Sequence, residues 1–149
     1  MDTNAGPQRI LFLCTHNSSR SQMAEGLLRA RGGGRYLAFS AGTEPRSVHP
    51  LAIEVLREIG IDISAKAGYF AKSLRVFEGQ QPPMDLVVTV CDDAAEACPF
   101  FPGARRQEHW GFPDPSAVTG SEAERLAAFR QARDAIAARI DVFLRPAEH

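Results

Sequence analysis

Segments of mainly apolar residues alternate along the chain with segments whose apolar residues recur at helical spacing. Apolar segments predict strands at residues 9–13, 36–40 and 84–90, and residues 106–110 are predicted as a fourth strand. Helical spacing predicts three helices, from Ser21 to the glycines at 32–34, from Pro50 to Gly60, and over 121–144. Strands separated by helices favour a mostly parallel sheet with right-handed crossovers, and such sheets bind ligands beyond the carboxyl ends of their strands.

Residues that favour helix ends set the bounds of these helices. Three glycines, Gly32–Gly34, stop the first helix, and Gly60 follows the second as its C′ residue. Pro50 suits the first position of the second helix, where its missing N–H is not needed. Residues 61–84 show no comparable pattern beyond a short helix predicted near 73–77. The third helix has an apolar face formed by Leu126, Phe129, Ile136, Ile140 and Phe143.

The length and charge of the chain limit its possible functions. With 149 residues it is long enough for one core, so we expect residues 9–149 to form a single α/β domain after a flexible lead-in at residues 1–8. The net charge of −1 gives no bulk attraction for nucleic acid or an anionic membrane. No apolar stretch is long enough for a membrane span, and the first residues lack a signal-peptide pattern. We therefore expect a cytoplasmic protein, and a monomer because no partner face is evident.

A cysteine lies directly after the first predicted strand, at the carboxyl edge of the predicted sheet. Cys14 is followed six residues later by Arg20, at the start of the first predicted helix. The loop between them can turn backbone N–H groups inward, and the helix N-terminus adds positive charge, so the loop suits phosphate or arsenate. The same field favours the thiolate, which is the reactive form of cysteine. We interpret Cys14 as a nucleophile and Arg20 as a clamp for two oxyanion oxygens; the alternative is a small buried thiol.

Polar residues fill the loop between the cysteine and the helix. They are turn and capping residue types, and this ordinary use is compatible with oxyanion binding. The hydroxyl of Ser21 can donate to the sulfur of Cys14 and hold the thiolate. The predicted oxyanion-binding residues are Thr15, His16, Asn17, Ser18, Ser19, Arg20 and Ser21.

Three motifs in order carry a family resemblance. The string CTHNSSRSQMAEG, which begins at Cys14, resembles the arsenate reductase branch of the low-molecular-weight tyrosine phosphatase superfamily. Residues 85–99 are similar to the redox segment of that branch, and residues 109–115 to its acid loop. The resemblance covers roughly residues 9–144 and implies a low-molecular-weight phosphatase-like α/β fold with a four-stranded, mostly parallel sheet flanked by helices.

The acid-loop motif contains Asp114, which lies between two prolines. The residue alone could be a plain turn aspartate. The resemblance implies that it is the general acid, which protonates the leaving oxygen at the rim of the pocket.

Two further cysteines, Cys91 and Cys98, distinguish a reductase from a phosphatase, because a phosphatase needs only Cys14. Their C-x6-C spacing, without nearby paired histidines, is poor for zinc. They could be isolated structural cysteines, but each lies at a strand or loop end that can reach the pocket mouth. Together with the resemblance, this geometry suggests a relay: Cys14 attacks arsenate, Cys91 attacks the Cys14 sulfur, and Cys98 resolves that disulfide.

The relay needs an external reductant and no tightly bound cofactor. Two resolving cysteines favour thioredoxin, although the sequence does not exclude glutaredoxin or mycothiol. Phosphate and sulfate are expected to compete with arsenate for the loop. In related reductases a potassium ion is held by residues that match Asn17, Glu25 and Ser40, so the resemblance also suggests a potassium site; its further acidic ligand has no recognisable match within residues 61–84.

Two other functions remain open from the sequence. One is a tyrosine phosphatase whose extra cysteines protect Cys14 from oxidation. The family's pair of tyrosines after the acid loop is absent here, because Pro115 is followed by Ser116 and Ala117, which leaves little aromatic wall for a phosphotyrosine ring. The other is a non-catalytic oxyanion or redox sensor that signals through a Cys91–Cys98 disulfide and does not need Asp114.

Overall fold

A computed structural model describes residues 6–92, 96 and 98–145 of the chain. Its centre is a four-stranded sheet in the order β2-β1-β3-β4, in which all neighbouring strands run parallel. The predicted α/β class with a parallel four-stranded sheet is therefore confirmed. Residues 1–5, the first part of the predicted lead-in, lie outside the described residues. The strands are β1 (Gln8–Cys14), β2 (Tyr36–Gly42), β3 (Leu86–Thr89) and β4 (Gln107–His109).

The α-helices of the described residues that pack around this sheet are α1 (Arg20–Gly32), α2 (Pro50–Arg57) and α3 (Glu122–Leu144). The second helix ends earlier than predicted, and Gly60 instead closes the turn after it with φ +83°. The third begins with a capping box in which Ser121 and Glu124 satisfy each other's backbone N–H groups. Short 3₁₀ turns occupy residues 33–35, 65–67, 74–77 and 115–117.

The central strand β1 is buried on both faces, which explains its continuous apolar run. Ile10, Phe12 and Cys14 point into one core, where α1, α2 and α3 contribute their apolar faces. Leu11 and Leu13 point into a second core on the other side of the sheet. Because β1 is fixed on both faces, the position of Cys14 at its carboxyl end is fixed as well.

The end of β2 passes very close to the loop that follows β1. A Cβ atom on Gly42 would lie 2.6 Å from the Thr15 carbonyl oxygen and 2.9 Å from the Asn17 nitrogen, so only glycine fits there. Among the described helices, none is long and apolar enough to cross a membrane.

Candidate active site

The loop of residues 15–19 joins β1 to α1 with its carbonyl groups turned away from the cysteine. The carbonyls of Thr15, His16 and Ser18 accept backbone hydrogen bonds from residues 44, 46 and 49 at 2.8–2.9 Å. With the carbonyls held on that side, N–H groups are directed toward the pocket, as expected for an anion-binding loop.

Asn17 gives the loop its tight curvature. Its φ is +50°, a left-handed conformation that non-glycine residues adopt rarely, and it is completely buried. Its side-chain oxygen accepts hydrogen bonds from the Lys72 backbone N–H and from the Gln22 amide, both at 3.0 Å. These bonds hold the strained residue in place, and its own N–H donates to the Cys14 sulfur at 3.3 Å.

The sulfur of Cys14 lies in a buried polar setting, although the residue itself belongs to the core. The Ser21 Oγ is 2.9 Å from Sγ and also accepts a hydrogen bond from the Asn17 amide at 2.8 Å. Since that amide already supplies a proton to the hydroxyl oxygen, the hydroxyl's own proton is available for the sulfur. The two donors at Sγ are the kind of contacts that stabilise a thiolate.

Arg20 begins α1 and is almost fully buried, with 4% of its side chain exposed. Its Nη1 and Nη2 donate to the two carboxylate oxygens of Glu96 at 2.6 and 2.9 Å, and Nη1 also donates to the Phe112 carbonyl at 3.0 Å. Burial opposes the positive charge, but the hydrogen bond with Glu96 and the nearby charges of Cys14 and Asp114 outweigh it and raise the pKa of Arg20. The guanidinium therefore stays charged beside the sulfur.

Sequence reasoning missed Glu96. Its carboxylate also accepts hydrogen bonds from the Thr15 hydroxyl at 2.9 Å and from the Asp92 backbone N–H at 3.0 Å. The bond from Arg20 lowers the pKa of Glu96 to about 2, although partial burial acts in the opposite direction. The redox-segment motif contains this residue but gives it no role, since its partners lie 76 and 81 positions earlier in the chain.

Asp114 lies at the rim of the pocket and caps the 3₁₀ turn of residues 115–117. One carboxylate oxygen accepts from the Ser116 N–H at 2.9 Å and from the Ser116 hydroxyl at 2.7 Å. The other oxygen lies 3.8 Å from Nη2 of Arg20. The turn role and the acid role can therefore be filled by different oxygens of the same carboxyl group.

An inner and an outer cavity in the described part of the chain open beside the loop. The inner one, about 20 Å³, is lined by Cys14, Arg20 and Asp114 among others, and is barely larger than one water molecule needs. The outer one, about 840 Å³, is lined by Thr15 and Asp114 and also by Glu96 and Cys98. The redox segment and the oxyanion loop thus share one opening.

The two remaining cysteines form a Cys91–Cys98 disulfide, with their Cα atoms 6.0 Å apart. Cys14 is the free cysteine. Cys91 follows β3 and is completely buried, whereas Cys98 is only partly buried and lines the outer cavity. A reagent that enters from solvent therefore reaches the Cys98 sulfur before the Cys91 sulfur.

Not every predicted loop side chain points into the pocket. The Ser18 hydroxyl donates to the Ser47 carbonyl at 2.8 Å, and the His16 ring contacts the Glu44 carbonyl at 3.0 Å. Ser19 precedes α1 without a capping side-chain bond. These three residues line the inner cavity, and their backbone N–H groups are the parts suited to an oxyanion.

The residues matched to a potassium site do lie together behind the loop. Ser40 donates to one carboxylate oxygen of Glu25, and Arg29 donates to the other at 2.6 Å. The Lys72 ammonium donates to the Ser40 carbonyl at 3.1 Å. Burial raises the pKa of Glu25 against the opposing effects of Ser40, Lys72 and Arg29, and burial lowers that of Lys72 against the attraction of Glu25.

This arrangement does not fit a potassium ion. Both oxygens of Glu25 already have protein donors, and the side-chain oxygen of Asn17 accepts two hydrogen bonds. The Lys72 ammonium supplies the positive charge that the ion would bring. Within the described part of the chain there is also no cluster of three or more histidine, cysteine or acidic side chains suited to a metal.

The fold and site together define a class of protein: an α/β domain with a cysteine at a strand end, an oxyanion loop closed by a buried arginine, and an aspartate at the rim. The sequence model for low molecular weight phosphotyrosine protein phosphatases matches residues 9–148. The chain belongs to this family.

Two similar proteins bear the name arsenate reductase. The chain is 42% identical over 134 residues to an arsenate reductase of Bacillus subtilis, with 90% of this chain and 93% of that protein covered. It is 43% identical to an arsenate reductase of Halalkalibacterium halodurans over the same shares.

Solved structures agree. An arsenate reductase in the phosphate binding state superimposes with a TM-score of 0.72 at 29% identity, covering 92% of this chain and 96% of that one. A thioredoxin-dependent arsenate reductase of Corynebacterium glutamicum gives a TM-score of 0.62 at 27% identity, covering 95% of this chain and 65% of that one.

Proposed function

We propose that this protein reduces arsenate to arsenite with Cys14 as nucleophile and Cys91 and Cys98 as the electron relay. The observation that carries the proposal is the shared opening: the oxyanion loop and the disulfide-bonded Cys98 line one cavity. A phosphatase would need the loop but not the disulfide. Similarity to arsenate reductases over nine-tenths of the chain supports the same conclusion.

In the first step the Cys14 thiolate attacks arsenic. A bond from sulfur to arsenic forms, one arsenic–oxygen bond breaks, and Asp114 protonates the departing oxygen, which leaves as water. The Asn17 N–H and the Ser21 hydroxyl hold the thiolate before attack. Arg20 and the loop N–H groups stabilise the negative oxygens as charge develops.

In the second step the Cys91 thiolate attacks the Cys14 sulfur. A disulfide forms between them, the sulfur–arsenic bond breaks, and its electron pair stays on arsenic, which becomes arsenite. The Cys98 thiolate then attacks the Cys91 sulfur and releases the Cys14 thiolate. The product of that exchange is the Cys91–Cys98 disulfide that this structure contains.

An external dithiol must then reduce this disulfide, and we propose thioredoxin. Its reduction potential of about −270 mV suffices for ordinary exposed disulfides. Attack falls on Cys98, because it is the more exposed sulfur of the pair. A thioredoxin system operates in the cytoplasm, which is where we propose this protein acts as a monomer.

The test is arsenate-dependent NADPH oxidation with thioredoxin and thioredoxin reductase, for the wild type and the Cys91→Ser variant. Steady turnover with the wild type and none with the variant would support the relay. Two results would contradict it: equal turnover by both proteins, or no turnover by a folded wild type.

Phosphotyrosine hydrolysis is a second candidate, favoured by the family loop together with Asp114. The two residues that follow Pro115 in the described chain, Ser116 and Ala117, are not aromatic and so supply no wall for a phosphotyrosine ring there. We therefore propose only a low phosphatase activity, which is measured as hydrolysis of an aryl phosphate by the reduced protein.

A further inference from the structure

The Glu96 carboxylate occupies both terminal nitrogens of Arg20, which are donors suited to an oxyanion. Both terminal nitrogens of the guanidinium donate to it, at 2.6 and 2.9 Å, in the two-pronged geometry that arginine uses for phosphate and carboxylate alike. Two further donors complete the carboxylate's contacts, the Thr15 hydroxyl and the Asp92 backbone N–H. The proposed mechanism gives this residue no part.

Glu96 and a tetrahedral oxyanion cannot both use this face of the arginine. The Phe112 carbonyl accepts another hydrogen bond from Nη1, and the buried Nε of Arg20 has no hydrogen-bond partner among the described residues. The inner cavity left beside Cys14 is only about 20 Å³, little more than the space of one water molecule. For an oxyanion to take both terminal nitrogens of Arg20, the carboxylate has to leave them.

The position of Glu96 is tied to the disulfide. The residue lies inside the short loop that the Cys91–Cys98 bond closes, with the ends of that loop 6.0 Å apart at Cα. Its carboxylate also accepts from the N–H of Asp92, the residue next to Cys91. When the disulfide opens, one end of the loop is released. Holding the carboxylate on Arg20 then costs more conformational entropy.

We propose that Glu96 is an internal ligand of the oxyanion site, held on Arg20 by the Cys91–Cys98 disulfide, so that the oxidised protein binds oxyanions weakly until it is reduced. The inference deepens the proposed function and rests on it for the redox cycle. The oxidised enzyme cannot transfer electrons to arsenate, so exclusion at this stage prevents unproductive binding. By thermodynamic linkage, if reduction tightens oxyanion binding by some factor, a bound oxyanion must shift the equilibrium toward the reduced, dithiol form by the same factor.

The test is the dissociation constant of inorganic phosphate, measured by calorimetry on the full chain with the disulfide intact and after reduction with a phosphine. Glu96→Gln removes the competing charge, and Glu44→Gln is the matched control. Glu44 lines the same outer cavity but is not among the described partners of Arg20. Retained far-UV circular dichroism confirms that each variant is folded.

In the disulfide form, Glu96→Gln should bind phosphate about tenfold more tightly than the wild type, the factor that corresponds to ~1.4 kcal/mol of removed competition. Glu44→Gln should match the wild type. Reduction of the disulfide should tighten phosphate binding by the wild type, and it should tighten phosphate binding by Glu96→Gln less. Equal affinity of the oxidised wild type and Glu96→Gln would overturn the proposal, as would an identical gain on reduction in both.

The wild type alone decides the matter if Glu96→Gln does not fold: no gain in phosphate affinity on reduction then refutes the proposal. Phosphate binding involves no turnover, so its outcome is independent of the arsenate assay. A protein that shows the expected phosphate affinities but reduces no arsenate would keep the Glu96 assignment and lose the proposed reaction.

Discussion

Replacing Gly42 by alanine tests whether the close approach of β2 fixes the oxyanion loop. The added Cβ would meet three backbone atoms, the Thr15 oxygen at 2.6 Å, the Asn17 nitrogen at 2.9 Å and the Cys14 oxygen at 3.1 Å. None of these atoms can rotate away as a side-chain end could. Overpacking of this kind costs about 1–3 kcal/mol, which for a chain of this length lowers the melting temperature by roughly 2–12 °C.

The structural control is Gly34→Ala. A Cβ at Gly34 meets no atom within 4 Å, so this change should leave stability unchanged or raise it slightly. Urea unfolding gives the free energies of unfolding. Phosphate binding by the reduced proteins shows whether the oxyanion loop keeps its conformation. Because the clash pushes directly on the turn at Asn17, Gly42→Ala should also bind phosphate more weakly. Equal stability and equal binding in the two alanine variants would refute the reasoning.

Three further predictions concern the proposed acid Asp114, the partly buried ammonium of Lys72 and a surface ion pair of Glu58. Asp114→Asn keeps an oxygen that can accept from the following turn but cannot give up a proton, so arsenate turnover should fall about 10²- to 10⁴-fold with little change in urea unfolding; unchanged turnover would contradict the acid role, and full biological activity would favour the sensor. Because the ammonium of Lys72 already lies beside Glu25, turnover should be the same when sodium replaces potassium at constant ionic strength, and a loss of activity without potassium would count against this assignment. Hydrogen bonds and charges from Arg130 and Arg133 lower the pKa of Glu58 from 4.5 to about 2. The ionised Glu58 should therefore stabilise the fold above pH 4.5, and this stabilisation should be lost as the pH falls toward 2. The free energies of unfolding of the wild type and Glu58→Gln should converge over that pH range, and a difference between them that stays constant would contradict the prediction.

The oxyanion loop could be predicted because its signals are local. A buried strand, a cysteine at its end and an arginine at the next helix start lie within thirteen residues, Gln8 to Arg20. The strand fixes where the cysteine lies, and the helix fixes where the arginine begins. The left-handed conformation of Asn17 had no such signal, because it results from contacts with Gln22 and Lys72 that only the folded chain supplies.

Beyond the short helix predicted near 73–77, which the structure has as a 3₁₀ turn at 74–77, the region of residues 61–84 could not be predicted for a different reason. It contains two short 3₁₀ turns, at 65–67 and 74–77, and glycines with positive φ at Gly68 and Gly79, so no hydrophobic period develops. Its chief contribution to the site is Lys72, and lysine in an irregular segment is ordinarily a surface residue. What identifies it here is its bond to the Ser40 carbonyl and its burial near Glu25, both of which need the tertiary structure.

The charges of the site show how a chain with a net charge of only −1 can still select anions. The buried Arg20 is paired with Glu96, and the partly buried Lys72 feels the charge of Glu25, so both of these cations near the loop are balanced by a carboxylate. An anion that enters therefore exchanges with a carboxylate instead of adding to an excess of positive charge. Replacement of the Glu96 carboxylate on Arg20 by an anion depends on the shape of the anion and on whether the disulfide closes the loop that carries Glu96. Attraction by a net positive charge would depend on neither. Under the two proposals, selectivity for the oxyanion and control by the disulfide would follow from the same contact between Arg20 and Glu96.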